Sequence, residues 1–296
     1  MKKTAKLRKM INEGKTVVGV GAQDALSGLL VQRAGFDAVY VGSYSTEASF
    51  LGKPDLALMS KTERLLLVRN VVKAVDVPVI ADMEEGYGNA VSVMDSIRDF
   101  EDAGVAGIHI DDEQLPCKCP FLPGIPRNQL ISVDEMCGKI EAAVDARQDP
   151  DFLIIARCDT IGTVPLETYY EKNMIEDVVE RSNAYVDAGA DGIMLMALNV
   201  AEMEYFAKRI KGLRVGLFAP MEPIAIKEFE RTGYAMTIGS IATLYMYVRG
   251  LLDGLKKLYE TGDWNEIADH ISTDDEFYEV LGLQDYRAFY DKYRIP

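Results

Sequence analysis

One motif recurs four times along this chain and limits its fold more than any other feature: a helix-like end, a glycine, then a short apolar run rich in β-formers. It begins at Arg33 (Arg-Ala-Gly-Phe-Asp-Ala-Val-Tyr-Val-Gly-Ser), at Asp102 (Asp-Ala-Gly-Val-Ala-Gly-Ile-His-Ile-Asp-Asp), at Asp187 (Asp-Ala-Gly-Ala-Asp-Gly-Ile-Met-Leu-Met-Ala) and at Arg231 (Arg-Thr-Gly-Tyr-Ala-Met-Thr-Ile-Gly-Ser). Glycine after a helix supplies the left-handed cap, and an apolar run without polar alternation is a parallel strand covered on both faces. Similar runs at 17–21, 77–82, 152–157 and 215–219 bring the strands to eight. Helical periodicity fills the gaps at 29–34, 61–74, 91–103, 133–147, 175–188, 200–210, 224–231 and 241–259. Eight alternating units predict a closed (β/α)₈ barrel of the TIM type, with an open doubly wound sheet as the alternative because closure leaves no mark in sequence.

A chain of 296 residues is long for one domain, but such barrels reach this size, so residues 1–296 are expected to form one barrel with 264–296 as a helical tail. Trp264, Phe277, Tyr278, Tyr286, Phe289, Tyr290 and Tyr293 give that tail an aromatic face, which must cover the barrel or a neighbouring subunit. The 47 acidic and 32 basic residues leave a net charge of −15. That balance repels nucleic acid and anionic membranes and suits a small, metal-shielded substrate. No apolar run reaches the roughly 18 residues of a spanning helix, and the basic amphipathic start lacks a signal-peptide core, so a cytoplasmic location is expected. The four cysteines are then free thiols.

Ligands of α/β barrels and sheets gather at the strands' C-terminal ends. The stretch 108–124 ends a strand in Asp111, Asp112 and Glu113 and continues into Cys-Lys-Cys between prolines. From Asp112 to about Ser132 nothing has helical or strand periodicity, which marks a functional loop, and 116–126 is expected to be a mobile lid. The second strand ends in Gly42-Ser43-Tyr44-Ser45, either a cradle for a carboxylate or phosphate or an ordinary turn. The third ends in Asp82-Met83-Glu84-Glu85-Gly86, where alternation places Asp82 and Glu84 on one face. Those acids with Asp111 suit an oxygen-liganded divalent ion or, failing that, belong to a solvated loop. Arg157 closes the fifth strand as a carboxylate fork or in an ion pair with Asp82 or Asp111. Cys119, beside Lys118, is a candidate nucleophile or acid or an ordinary loop thiol; His109 inside a strand is expected to be a core residue. Cys117 and Cys119 are too closely spaced, and too far from any histidine, for a zinc site.

Taken together, Gln32-Arg-Ala-Gly-Phe-Asp-Ala-Val-Tyr-Val, Gly52-Lys-Pro-Asp-Leu, Ala81-Asp-Met-Glu-Glu-Gly-Tyr-Gly, Gly107-Ile-His-Ile-Asp-Asp, Ala156-Arg-Cys-Asp and Ala184-Tyr-Val-Asp-Ala-Gly-Ala-Asp resemble the isocitrate lyase and phosphoenolpyruvate mutase superfamily, nearest its methylisocitrate and dimethylmalate lyase branch. The resemblance implies the barrel, a homotetramer with C-terminal helices exchanged between subunits, and Mg²⁺, with Mn²⁺ as a substitute, held by Asp82, Asp55, Glu84 and Asp111. It further implies a substrate lying against Tyr40, Gly42, Ser43, Tyr44, Arg157 and Met196. The family's Lys-Lys/Arg-Cys-Gly-His signature falls on residues 117–121, which makes Cys119 the acid, and the family's arginine falls on Arg157, implied as catalytic too. Cys117 stands where the family has lysine, Pro120-Phe121 where it has Gly-His, Met196 where lyases have glutamate, and Ala219 where an asparagine is expected.

The reaction so implied is metal-dependent carbon–carbon cleavage of a small 2-hydroxy or 2-keto acid. Phosphoenolpyruvate mutase, phosphonopyruvate hydrolase or oxaloacetate decarboxylase chemistry is the second reading, and a non-catalytic barrel the third. With Met196, Ala219, Met221, Pro120 and Phe121 where extra carboxylates would be held, the expected substrate is smaller or more apolar than isocitrate.

Overall fold

Strand-forming residues in this chain come in short segments, each ended by a glycine, an acid or a loop, and in the computed structural model all eight enter one parallel sheet. The structure describes residues 1–218 and 224–294. The strands are β1 (Val17–Gly21), β2 (Ala38–Val41), β3 (Val79–Asp82), β4 (Gly107–Asp111), β5 (Leu153–Arg157), β6 (Gly192–Leu195), β7 (Leu213–Leu217) and β8 (Met236–Gly239). Each pairs with the next, and β8 returns to β1 with Val17 opposite Met236, so the barrel is closed.

The boundaries moved for identifiable reasons. β3 starts at Val79, not at 77, because Pro78 has no N–H for the ladder and offers only its carbonyl, to Val39. Phe152 stays out of β5 because its N–H closes a turn onto the Asp149 carbonyl. The first barrel helix, Ala25–Arg33, begins earlier than its apolar periodicity indicated, where Asp24 accepts from the Ser27 N–H in a capping box. β7 begins at Leu213, and its expected end at Ala219 lies outside the described residues, as does Met221.

Alternation divides the strand side chains between two cores. Ile108, Ile110, Ile154 and Ala156 point outward into the layer shared with the helices. Ala38, Ile80, Leu153, Ile155 and Met194 fill the barrel interior, closed at the N-terminal end by Leu7 of the helix Lys3–Asn12. Continued upward, the same inner face presents Tyr40, Asp82, His109, Asp111 and Arg157. Register aligns Asp82 with His109, and Asp111 with Arg157.

The eighth helix differs from the rest. It runs Ala242–Thr261, and only Leu244 is buried along it. Tyr247, Leu251, Leu252 and Leu255 stand open to solvent. The tail follows as a short turn at Trp264–His270 and helices Asp274–Val280 and Leu283–Tyr293, with Glu279 paired to Arg33 of the first barrel helix at 2.8 Å. No helix among the described residues is long and apolar enough to cross a membrane.

Candidate active site

The upper end of the barrel is a layer of buried charge. Asp82, the last residue of β3, accepts from the Ser43 N–H at 3.0 Å and from the Glu84 N–H at 2.8 Å. Burial opposes its ionisation, but His109, Arg64 and Arg157 outweigh that and hold its carboxyl well below the usual range. Asp111, the last residue of β4, lies 2.8 Å from His109 Nδ1 and 3.5 Å from an Arg157 guanidinium nitrogen. Arg157 Nε lies 3.1 and 3.0 Å from the two oxygens of Asp159. Of the two uses expected for Arg157, the ion pair with Asp111 is present.

His109 is fully buried, as a core residue would be, but its surroundings are polar. Its Nε2 lies 2.9 Å from the Tyr40 hydroxyl, whose ring stacks on the imidazole, and its Nδ1 meets Asp111. It is a scaffold for two functional side chains.

The β2 end is the start of a helix rather than a simple turn. Gly42 leads into Ser43–Thr46 and then a wider-wound segment, Glu47–Leu51. Only glycine fits at 42, since a Cβ there would lie 2.5 Å from the Tyr40 ring. The Ser43 hydroxyl donates to Asp55 Oδ2 at 3.0 Å, and Tyr44 meets Tyr245 of the eighth helix at 3.3 Å, hydroxyl to hydroxyl. Asp55 Oδ1 is buried and has no hydrogen-bond partner among the described residues. Burial, then Asp82 and Glu47, push the Asp55 carboxyl up to about 7.

Strand alternation does not place Glu84. β3 ends at Asp82, and Glu84 adopts a left-handed backbone, φ +51°. Its carboxylate turns to Arg64 at 2.6 Å. Two sets of side chains bring their ligand atoms within 4.8 Å of one another: Asp82, His109 and Asp111, and Glu47, Asp55 and Glu84. Hard oxygen donors, together with the unpartnered Asp55 Oδ1, fit a divalent ion such as Mg²⁺.

The loop after β4 lies across the mouth of the barrel. Its base is pinned: Gln114 N–H donates to Gln129 O, Cys119 N–H to Asp55 O, and Pro120 packs where Gly162 leaves room. Lys118 donates to Asn128, so it does not activate the neighbouring thiol. Burial instead pushes the Cys119 thiol up to about 11, which makes it a proton carrier at neutral pH rather than a thiolate. Cys117 is buried between Glu113 at 3.2 Å and Asp111 at 3.5 Å; burial and those carboxylates hold its thiol well above the usual range.

These groups surround one cavity of about 360 Å³. Tyr40, Gly42, Ser43, Tyr44, Asp55, Asp82, Glu84, Asp111, Cys119, Arg157 and Met196, all foreseen from sequence, line it. The lining also includes Phe121, Met196, Leu217, Ile241 and Tyr245, with Lys118 and Ser240. Sequence reasoning did not foresee the parts of Arg64, Asp159 or Tyr245. Asp159 was findable, two residues beyond Arg157, whereas Arg64 and Tyr245 come from distant helices.

Comparison with known proteins identifies the family. The family model described as phosphoenolpyruvate phosphomutase matches residues 7–257. The 2,3-dimethylmalate lyase of Eubacterium barkeri is 36% identical over 299 aligned positions, covering 99% of each chain. Among solved structures, phosphoenolpyruvate phosphomutase from Streptomyces platensis subsp. rosaceus superposes with a TM-score of 0.88 at 30% identity, covering 98% of each chain. A phosphonopyruvate hydrolase complexed with oxalate and Mg²⁺ superposes with a TM-score of 0.87 at 25% identity, covering 99% of each. The closed barrel and its acidic mouth thus belong to a member of the phosphoenolpyruvate mutase/isocitrate lyase superfamily, a carbon–carbon lyase family enzyme.

Proposed function

We propose that this enzyme is a Mg²⁺-dependent lyase, with Mn²⁺ able to substitute, that cleaves the C2–C3 bond of a small 2-hydroxy acid whose leaving fragment carries an alkyl group. One observation carries the reading: Asp82, Asp111, Arg157 and Cys119 line a single cavity together with the apolar Phe121, Met196, Leu217 and Ile241. When bound, the divalent ion supplies charge stabilisation to the 2-oxygen and its carboxylate. The protein's own groups do the rest. Arg157, oriented by Asp111 and Asp159, holds the substrate carboxylate. The Gly42–Tyr44 turn places the other end of the acid, and the loop residues 117–123 line the cavity beside it. Cleavage passes the 2-hydroxyl proton to one of the carboxylates lining the cavity, turns C2–O into the carbonyl of the 2-oxo acid and leaves the C2–C3 electron pair on C3, where the Cys119 thiol, protonated at neutral pH, delivers its proton.

A third carboxylate, as in isocitrate, would find few free donors among the described residues of a cavity lined by Phe121, Met196, Leu217 and Ile241, where Lys118 is engaged by Asn128, and a desolvated carboxylate short of partners is rejected. The likeness to phosphonopyruvate hydrolase favours a second reading, hydrolysis or decarboxylation of a 2-keto acid, which needs no thiol acid. A panel of isocitrate, methylisocitrate, 2,3-dimethylmalate, citramalate, oxaloacetate and phosphonopyruvate, assayed with Mg²⁺ for the 2-oxo acid product, separates these. Dimethylmalate is expected to turn over best; preference for isocitrate or methylisocitrate would defeat the proposal. The open face of the eighth helix supports a homotetramer in which that helix and the tail pack on a partner subunit.

A further inference from the structure

Arg64 is fully buried in the first turn of the helix Lys61–Ala74, an unusual place for a guanidinium without a function. One of its nitrogens meets Glu84 at 2.6 Å, and another donates to the Thr46 hydroxyl. Thr46 in turn donates to the Gly42 carbonyl at 2.8 Å, and the Glu84 backbone donates to Asp82. A single side chain therefore joins the loop that carries Asp82 to the loop that carries Ser43.

Every acid beside Asp55 already has an assigned partner. Glu47 accepts from the N–H groups of Leu56, Leu58 and Met59. Glu84 faces Arg64, while Asp55 keeps one oxygen without a partner among the described residues. We propose that Arg64 is a positioning residue: it takes Glu84 as its counter-ion, keeps that carboxylate out of the coordination of the divalent ion, and sets the substrate loop through Thr46. The inference rests on the metal-dependent reading above. It separates Glu84 from Asp82, Asp55 and Asp111, with which sequence alone had grouped it.

Charge balance gives it an unusual signature. A purely structural arginine would loosen metal binding when removed. Here, Arg64→Met removes a positive charge and releases a carboxylate toward the ion, so affinity should rise. Glu84→Gln leaves the guanidinium unbalanced, so affinity should fall. Arg64→Met/Glu84→Gln removes both charges and should return affinity close to wild type.

The test is Mn²⁺ binding to the full-length chain, followed by electron paramagnetic resonance without substrate, with circular dichroism to verify folding. About tenfold tighter binding by Arg64→Met, tenfold weaker by Glu84→Gln and near wild-type binding by the double variant is the expected pattern, equivalent to about 1.4 kcal/mol per step. If Arg64→Met does not fold, the comparison of Glu84→Gln with the double variant still decides. Equally weak binding by those two would make Glu84 a ligand and overturn the proposal, as would unchanged binding in both. A wild-type chain that binds no Mn²⁺ would instead overturn the metal-dependent reading, and this inference with it.

Discussion

Two thiols two residues apart face different tasks because their neighbours differ. Cys119 lines the cavity and keeps its proton through burial, whereas Cys117 is held between Glu113 and Asp111. Cys119→Ser is expected to lose most turnover, on the order of a hundredfold or more, while ligand binding changes little. Cys117→Ala should be milder, and the reverse order in steady-state kinetics would exchange the assignments. Because a proton donor works only while protonated, alkylation of Cys119 by iodoacetamide should be slow at neutral pH and accelerate as pH rises toward about 11. Rapid alkylation near pH 7 would show a thiolate and contradict the acid role. Asp82 answers to a different measurement. Saturating Mg²⁺, a hundredfold above its Kd, should stabilise the wild type by about 2.7 kcal/mol and raise its Tm by several degrees. Asp82→Asn should abolish that rise, and an equal rise in both proteins would remove Asp82 from the metal site.

At the scale of elements, the loop after β4 divides into a fixed base and an open tip. Pro120 seats on Gly162, and Arg127 donates to the Gly162 carbonyl at 3.0 Å, whereas Gly124 and Ile125 are exposed. Limited proteolysis is therefore expected first between 121 and 127, with protection by Mg²⁺ plus oxalate; equal cutting with and without them would show that the tip does not close over ligand. Gly162→Ala would push Pro120 outward, and misplacing the loop by about an ångström should cost up to about a hundredfold in turnover without weakening Mg²⁺ binding. A variant with wild-type kcat would mean that the base tolerates the shift. How far these elements were legible in sequence follows from their physics. Apolar runs marked all eight strands, four of them after glycine stops, and the strand ends located Asp82, Asp111 and Arg157, which line the cavity. His109 is buried as expected, but its polar partners were not legible, because the inner face of a barrel is core below and site above, and a strand does not record where one becomes the other. Alternation does not reach Glu84, which lines the cavity from beyond the end of the strand. Arg64 was invisible because its partner lies 20 residues away and only the folded loops bring them together.

At the scale of the molecule, an exposed stripe of Tyr247, Leu251, Leu252 and Leu255 on a 20-residue helix is too apolar to remain in water without consequence. Light scattering after gel filtration is expected to give the mass of four chains. Leu251→Glu with Leu255→Glu should shift it toward smaller species, and a monomeric wild type would refute the assembly. The helix begins immediately after Ser240 and Ile241, which line the cavity, and carries Tyr245, whose hydroxyl meets Tyr44. The part of the cavity lining formed by Ser240, Ile241 and Tyr245, which on the proposed function would select the leaving fragment, is thus mounted on or beside the element that association would hold still. Selectivity would then be inherited by the oligomer: substitutions far from any ligand could change which acid is preferred, and dilution would raise KM for the alkyl-bearing substrate before it lowered kcat.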